Sequence, residues 1–378
     1  MNIDFSPRLP YQWRKLRYRD DSMILPKDTD APNPVNPVRI VCVLVPRFNM
    51  MGLLGFLEPV RVANYLSGTP LYEHSFHAVQ AGQITASNGM ELSCKALPYK
   101  LTGNDMVVVA GSWGAEHFDD PVLFNWLRRQ ARMGARLCAL EIASYIFARA
   151  GLLNHKQATT HWSYLAGFQE KYPKILAAEQ LYTISGRVMT CAGTTAATDL
   201  MLQLIRDDHG APLAGEISDN IMHHPVRPAD APQRQTMGRG FDDLHPAVRS
   251  AIDVIEEHMS EPLRVPEIAE RVGMSQRQLE RQFKQAIGCS IVQFGTLLRL
   301  QHARVLLIST DLGVREISAA SGFNSLSHFA FAFRNCFGRR PSDYRQAWPE
   351  QEQAPTWPGT LSKYLDTLQV RQDLPKDI

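Results

Sequence analysis

The chain has 378 residues, 44% of them hydrophobic, enough for two or three domains with buried cores, and this excludes disorder throughout. A net charge of +2 excludes nucleic-acid affinity resting on bulk positive charge, so any such affinity has to come from a local patch. The six cysteines, at 42, 94, 138, 191, 289 and 336, form no CxxC pair and no metal-ligand spacing, and they read as small buried hydrophobes in a reducing compartment.

No run approaches the roughly 18 apolar residues of a membrane span, and the N-terminus lacks an apolar signal core. A cytoplasmic protein away from the membrane, without metal or cofactor, is the expectation.

Residues 1–37 read as a polar, proline-spaced extension in which YQWRKLRYR is followed by Asp20 and Asp21. From Val38 the β-branched run VRIVCVLV predicts a buried parallel strand, followed by the helix-like LGFLEPVRVANYLSG. Further strands are predicted at His74–Gln80, Asp105–Ala110 and Arg136–Leu140, with a helix over Pro121–Met133. This alternation implies helices packed around a mostly parallel, flavodoxin-like sheet over 38–225. Short strands at hairpin spacing, which an all-β barrel would need, are read as absent. Residues 226–244 read as a linker, rich in proline with Gly238 and Gly240. A helical domain over 245–346 opens with Pro246 in the first turn of HPAVRSAIDVIEEHM. Residues 347–378, with a weakly amphipathic LSKYLDTLQV, read as a tail.

Within the helical domain one pattern occurs twice. Its first copy has Ile268 and Ala269, a turn at Gly273, Ser275 as N-cap, then Leu279 and Phe283; the second has Ile317, Ser318, Gly322, Phe329 and Phe333. The turn glycine supplies a positive φ, and the i, i+4 apolar pair pins the second helix of each copy. The opposite face stays free. In the first copy it carries Gln276, Arg277, Glu280, Arg281 and Lys284. Arg suits guanine and Glu suits cytosine, while Lys suits phosphate. Alone, one such helix reads as an ordinary solvated face. Two of them about 50 residues apart, joined by a helical stretch over Ile291–Ile308, predict helix-turn-helix units reading successive major grooves about 34 Å apart.

This repeat, and above all GFNSLSHFAFAFRNCFGRRPSDYR with Gly338, Pro341 and Tyr344, resembles the DNA-binding domain of AraC/XylS-type transcription regulators. The resemblance implies base contacts from the two free faces, through Arg277, Glu280 and Arg281 in the first copy and Ser327, His328 and Phe331, with Arg334, in the second; Phe331 departs from it, a polar or basic residue being commoner there. The motifs LEPVRVAN, ASNGMEL, DMVVVAGSWG, ARAGLLNHKQATTHW and TCAGTTAATDLML resemble the class I glutamine-amidotransferase-like domain of ThiJ/PfpI proteins and GlxA-type regulators. Double-stranded DNA, a small effector, RNA polymerase and a second copy of the chain are the implied partners.

Catalytic relatives of that domain carry a Cys on a strained strand-to-helix turn. By the same resemblance Glu141 stands there, so thiolate chemistry is missing. The resemblance places Glu58 beside Glu141, and Trp113, His161 and Trp162 on loops around the pocket. Two facing carboxylates imply a cationic effector, such as a quaternary amine, an amino acid or a guanidinium compound, with the tryptophans as cation-π faces. The resulting expectation is a ligand-responsive, non-catalytic activator. The alternatives are an amidase-, hydratase- or glyoxalase-like enzyme fused to a DNA-binding domain, and a ligand-independent architectural binder.

Overall fold

The computed structural model describes residues 36–98, 101–102, 104–233 and 245–347. The N-terminal extension, most of the linker and the tail expected from the sequence lie outside the described residues. In chain order the first half comprises β1 (Val38–Leu44), α1 (Met50–Ser67), β2 (Tyr72–Ala78), β3 (Gly82–Thr85), β4 (Glu91–Ala96), β5 (Met106–Gly111), α2 (Pro121–Arg132), β6 (Arg136–Glu141) and α3 (Ala143–Arg149). It continues through β7 (Gln157–Ala158), α4 (Trp162–Lys171), β8 (Leu176–Ala177), β9 (Tyr182–Ser185), β10 (Val188–Cys191), α5 (Ala196–His209) and α6 (Ala211–Asn220).

Eight strands form one sheet in the order β3-β4-β2-β1-β5-β6-β10-β9. Its centre is parallel, with β1 between β2 and β5, and β6 between β5 and β10. The β-branched strands sit in this centre because both their faces are covered. Alternation along the strands divides the core: Ile40, Cys42, Val108 and Leu140 face α1 and α5, while Val41, Val43, Val109 and Ala139 face the α2 and α3 side. Two hairpins correct the expectation that hairpin-spaced strands are absent. β3 and β4 pair antiparallel at one edge, and β9 and β10 at the other. Their short, partly polar edge strands lack the unbroken apolar run that marks the central ones.

The second half is helical: α7 (Pro246–Glu257), α8 (Val265–Arg271), α9 (Gln276–Ile287), α10 (Ile291–Ser309), α11 (Val314–Ala320), α12 (Leu326–Phe337) and α13 (Pro341–Ala347). The pairs α8–α9 and α11–α12 are the two helix-turn-helix units. Ser275 caps α9 by accepting from the Gln278 amide, and Ser325 caps α12 by accepting from the His328 amide. Gly322 is required twice over. Its φ is +71°, and a Cβ there would lie 2.4 Å from the Met259 carbonyl oxygen.

Helix α10 runs between the two units, and its apolar residues divide accordingly. Ile291, Phe294, Leu297 and Leu298 join the core of the first unit. Leu300, Ala303, Leu306, Leu307 and Ile308 belong to a core that holds the second unit and also extends under α3 and α4 of the α/β half. The two halves also meet through polar contacts. His117 Nε2 lies 2.7 Å from the Ile308 carbonyl oxygen, and Lys171 pairs with Asp311 at 3.1 Å. The described residues from Pro37 onward therefore belong to one unit.

Candidate effector cleft and DNA-reading helices

The central parallel strands end in turns that converge where β1 has its two parallel neighbours and the chain winds off in both directions, the usual place for a ligand in an open α/β sheet. Asn49 follows β1 and caps α1, Ser112 and Trp113 follow β5, and Glu141 ends β6. Glu141 has φ +60°, a left-handed conformation that costs an L-residue roughly 1–2 kcal/mol. Its surroundings hold it there. The Glu141 carbonyl accepts from Thr160 Oγ1 at 3.0 Å and from Ser144 Oγ at 3.3 Å. Gly193, from the TCAGTT motif, comes so close that a Cβ on it would stand 2.7 Å from the Glu141 Cβ.

The Glu141 side chain is only 5% exposed. Its Oε1 accepts from Ser112 Oγ at 3.0 Å, and its Oε2 is buried and makes no hydrogen bond of ordinary geometry, although the Asn49 side chain lies close enough to act on the carboxyl. Burial raises the carboxyl pKa to about 7, although Ser112 and Asn49 favour the charged form. Near neutrality this carboxyl is therefore divided between acid and anion.

Glu141, Trp113, His161 and Trp162 line one cleft of about 520 Å³. The fifth residue assigned to it from the sequence does not. Glu58 lies on the solvent face of α1, its side chain 48% exposed and paired with Arg61. The buried positions of α1 include Met50, Leu53, Phe56, Leu57 and Val60, and Glu58 is out of phase with them. Glu58 and Glu141 therefore do not face each other: the Glu141 pKa is raised by burial rather than by a like charge, and the other carboxylates lining the cleft are Glu179 and Glu256.

His161 is both a cap and a wall. Its Nδ1 accepts from the Ser163 amide at 3.3 Å and lies 2.7 Å from Ser163 Oγ, fixing the start of α4. Burial lowers its pKa to about 4, so the ring is neutral at pH 7. Trp113 has the Arg47 guanidinium 5.9 Å from its ring centroid. Among the described residues no cysteine lines the cleft. Cys138 and Cys191 are fully buried, and desolvation lifts the Cys191 thiol to about 12 and Cys138 well above its ordinary value.

The sequence did not point to the opposite wall. Asn49 and Tyr164 belong to the α/β half, but Leu298, Gln301, His302 and Val305 come from α10. A signal existed in the adjacent polar residues Gln301 and His302 between the apolar Leu300 and Ala303 of α10, though no sequence period says what such a pair faces.

On the helical half, Leu279, Phe283, Phe329 and Phe333 are fully buried. Gln276, Arg277, Glu280, Arg281 and Lys284 on α9, and Ser327, His328, Phe331 and Arg334 on α12, are all exposed. Gln276 Nε2 donates to Glu280 Oε1 at 2.9 Å, which orders part of the first face. Phe331 is 66% exposed.

A doubly wound domain with a carboxylate at its strained elbow, joined to two helix-turn-helix units, defines a DNA-binding regulator with an α/β partner domain. Residues 41–207 match the DJ-1/PfpI family, and residues 268–347 match a helix-turn-helix domain. Over 317 residues the chain is 35% identical to the HTH-type transcriptional regulator CdhR of Pseudomonas aeruginosa, covering 84% of this chain and 94% of that one. It is 33% identical to the regulator GbdR of the same species, covering 84% and 87%, and 31% identical to the regulator GlxA of Rhizobium meliloti, covering 82% and 96%. The chain belongs to this family of HTH-type transcriptional regulators, which unites a DJ-1/PfpI domain with an AraC-type DNA-binding domain. Among the described residues no helix is long and apolar enough to cross a membrane.

Proposed function

We propose that this regulator is a ligand-responsive, non-catalytic activator acting in the cytoplasm as a homodimer, its effector held in the cleft over Glu141. The observation that carries the reading is the buried Glu141 Oε2, an acceptor with no hydrogen bond of ordinary geometry in a residue that lines a roomy cleft. A ligand cation or N–H donor placed there would satisfy it and draw the carboxyl into its ionised form. Trp113 and Trp162 offer aromatic faces to the same ligand. A quaternary amine, an amino acid or a guanidinium compound has the required chemistry, with Glu141 rather than a Glu58–Glu141 pair at the floor and Glu179 and Glu256 on the same lining.

An elbow Glu in place of a thiol supports a binding role over an amidase- or hydratase-like one. The faces of α9 and α12 supply the base and phosphate contacts, and an activator built this way works by engaging RNA polymerase. The second copy is assigned to α1, where Met51, Leu54, Glu58, Arg61 and Tyr65 form one exposed stripe. An acid and a base on one stripe make it self-complementary about a two-fold axis.

The test is a thermal-shift screen of the full chain and Glu141→Gln against amines, betaines, basic amino acids, and neutral and acidic metabolites. A ligand at 100 times its Kd adds about 2.7 kcal/mol to the wild type. A shift confined to cationic compounds and lost in Glu141→Gln supports the reading. Shifts with acids alone, or equal shifts in both proteins, contradict it.

A further inference from the structure

Resting on that reading of the cleft, we infer that the effector site is shared between the two domains, with Gln301 and His302 of the DNA-binding half completing it. Leu298, Gln301, His302 and Val305 line the same cleft as Glu141 and Tyr164. Three residues of this lining each carry a buried polar atom that makes no hydrogen bond of ordinary geometry within the protein: Glu141 Oε2 and Tyr164 Oη on one side, and Gln301 Nε2 on α10. Gln301 is only 9% exposed, so its amide N–H is nearly as shut off from solvent as the Glu141 carboxyl. A buried polar atom without a hydrogen bond is costly, and a polar guest in this cleft could satisfy all three. His302 adds a ring that burial keeps neutral, able to give or take one hydrogen bond.

The two walls ask for different groups. Glu141 takes a cation or donor, whereas Gln301 Nε2 can only donate, so it takes an acceptor. The ligand class that satisfies both is a small molecule with a cationic or N–H end and a carboxylate, carbonyl or hydroxyl at the other. Such a molecule would touch α10, the helix that packs against both helix-turn-helix units. Arg299 of α10 also donates to the Gly322 carbonyl at 2.8 Å, inside the second unit's turn. Ligand contact thereby acts on the strut that sets one reading helix against the other. By reciprocity, bound DNA changes ligand affinity by the same factor.

The experiment is calorimetric titration of the full chain with matched probes: L-arginine against agmatine, and trimethylglycine against tetramethylammonium. Each pair shares its cation and differs in the carboxylate. The wild type should bind the carboxylate member of a pair at least tenfold more tightly. Gln301→Ala and His302→Ala should erase that preference, and Glu141→Gln should lose both members. Hydrogen exchange on the unmutated chain gives a second readout, with the bound probe protecting amides over 298–305. If Glu141→Gln loses binding while both α10 variants bind as wild type and α10 shows no protection, the shared site is wrong and the cleft reading stands. If no probe binds the wild type, both are overturned.

Discussion

Glu141 is a carboxyl in a place that disfavours its charge. Its folded pKa, about 7, lies above the ordinary 4.5, so the native state holds the proton more tightly than the unfolded chain does. That contribution to stability is complete below about pH 4.5, is lost as the pH rises toward 7, and leaves a deficit of about 3 kcal/mol above it. Glu141→Gln keeps the Ser112 donor satisfied without the charge. It should melt well above the wild type at pH 8 and close to it at pH 4.5; equal differences at both pH values would show that the carboxyl is not desolvated. His161 acts on the acid side with the opposite sign. Its pKa of about 4 lies below the ordinary 6.5, so stability present above pH 6.5 falls away toward pH 4. Gly193 faces Glu141 with φ +93° and no room for a Cβ. Gly193→Ala should destabilise by at least about 2 kcal/mol in chemical denaturation, through overpacking and backbone strain together.

Among the elements, α9 and α12 present faces whose residues differ in what they can read. Replacing Arg277 or Arg281 of α9 by Ala should cost about 1–3 kcal/mol on a cognate site and relax the preference at one base. Lys284→Ala should weaken all sequences alike and flatten the salt dependence. Fluorescence anisotropy on cognate and random duplexes separates the two effects, and equal losses on both DNAs for all three variants would remove the assignment of readers. For α1, Leu54→Arg on the exposed stripe should shift the chain to monomer in sedimentation velocity; an unchanged dimer would place the interface elsewhere. The α1 helix also shows how far sequence reading reached. Its existence was legible from LGFLEPVRVAN, and Gly273, Ser275 and Phe283 marked their helices just as plainly, because cap, turn and apolar pair are local signals. Glu58 was misplaced because a motif position carries no helical phase, and two positions along α1 separate its core from its solvent face.

At the scale of the whole molecule, the parallel sheet was legible in the runs VRIVCVLV and MVVVAG, whose burial on both faces is written in their composition. The hairpins at its edges were not, since short half-polar strands look like loops. The cleft was half legible. Trp113, Glu141, His161 and Trp162 are brought together by turns of one domain, but Gln301 and His302 come from more than 130 positions further on, and only tertiary packing of α10 against α4 decides that they share a cavity. Under the shared-site proposal, the same packing lets a ligand and a DNA site bear on one helix. The measurement that tests this most directly is selection of bound sequences from a randomised duplex library by the full chain, with and without the probe that stabilises it in the thermal-shift screen. Two enriched blocks about 10.5 base pairs apart, centre to centre, are expected, with enrichment that changes when the probe is present. A single block, no sequence preference, or an outcome indifferent to the probe would contradict this expectation.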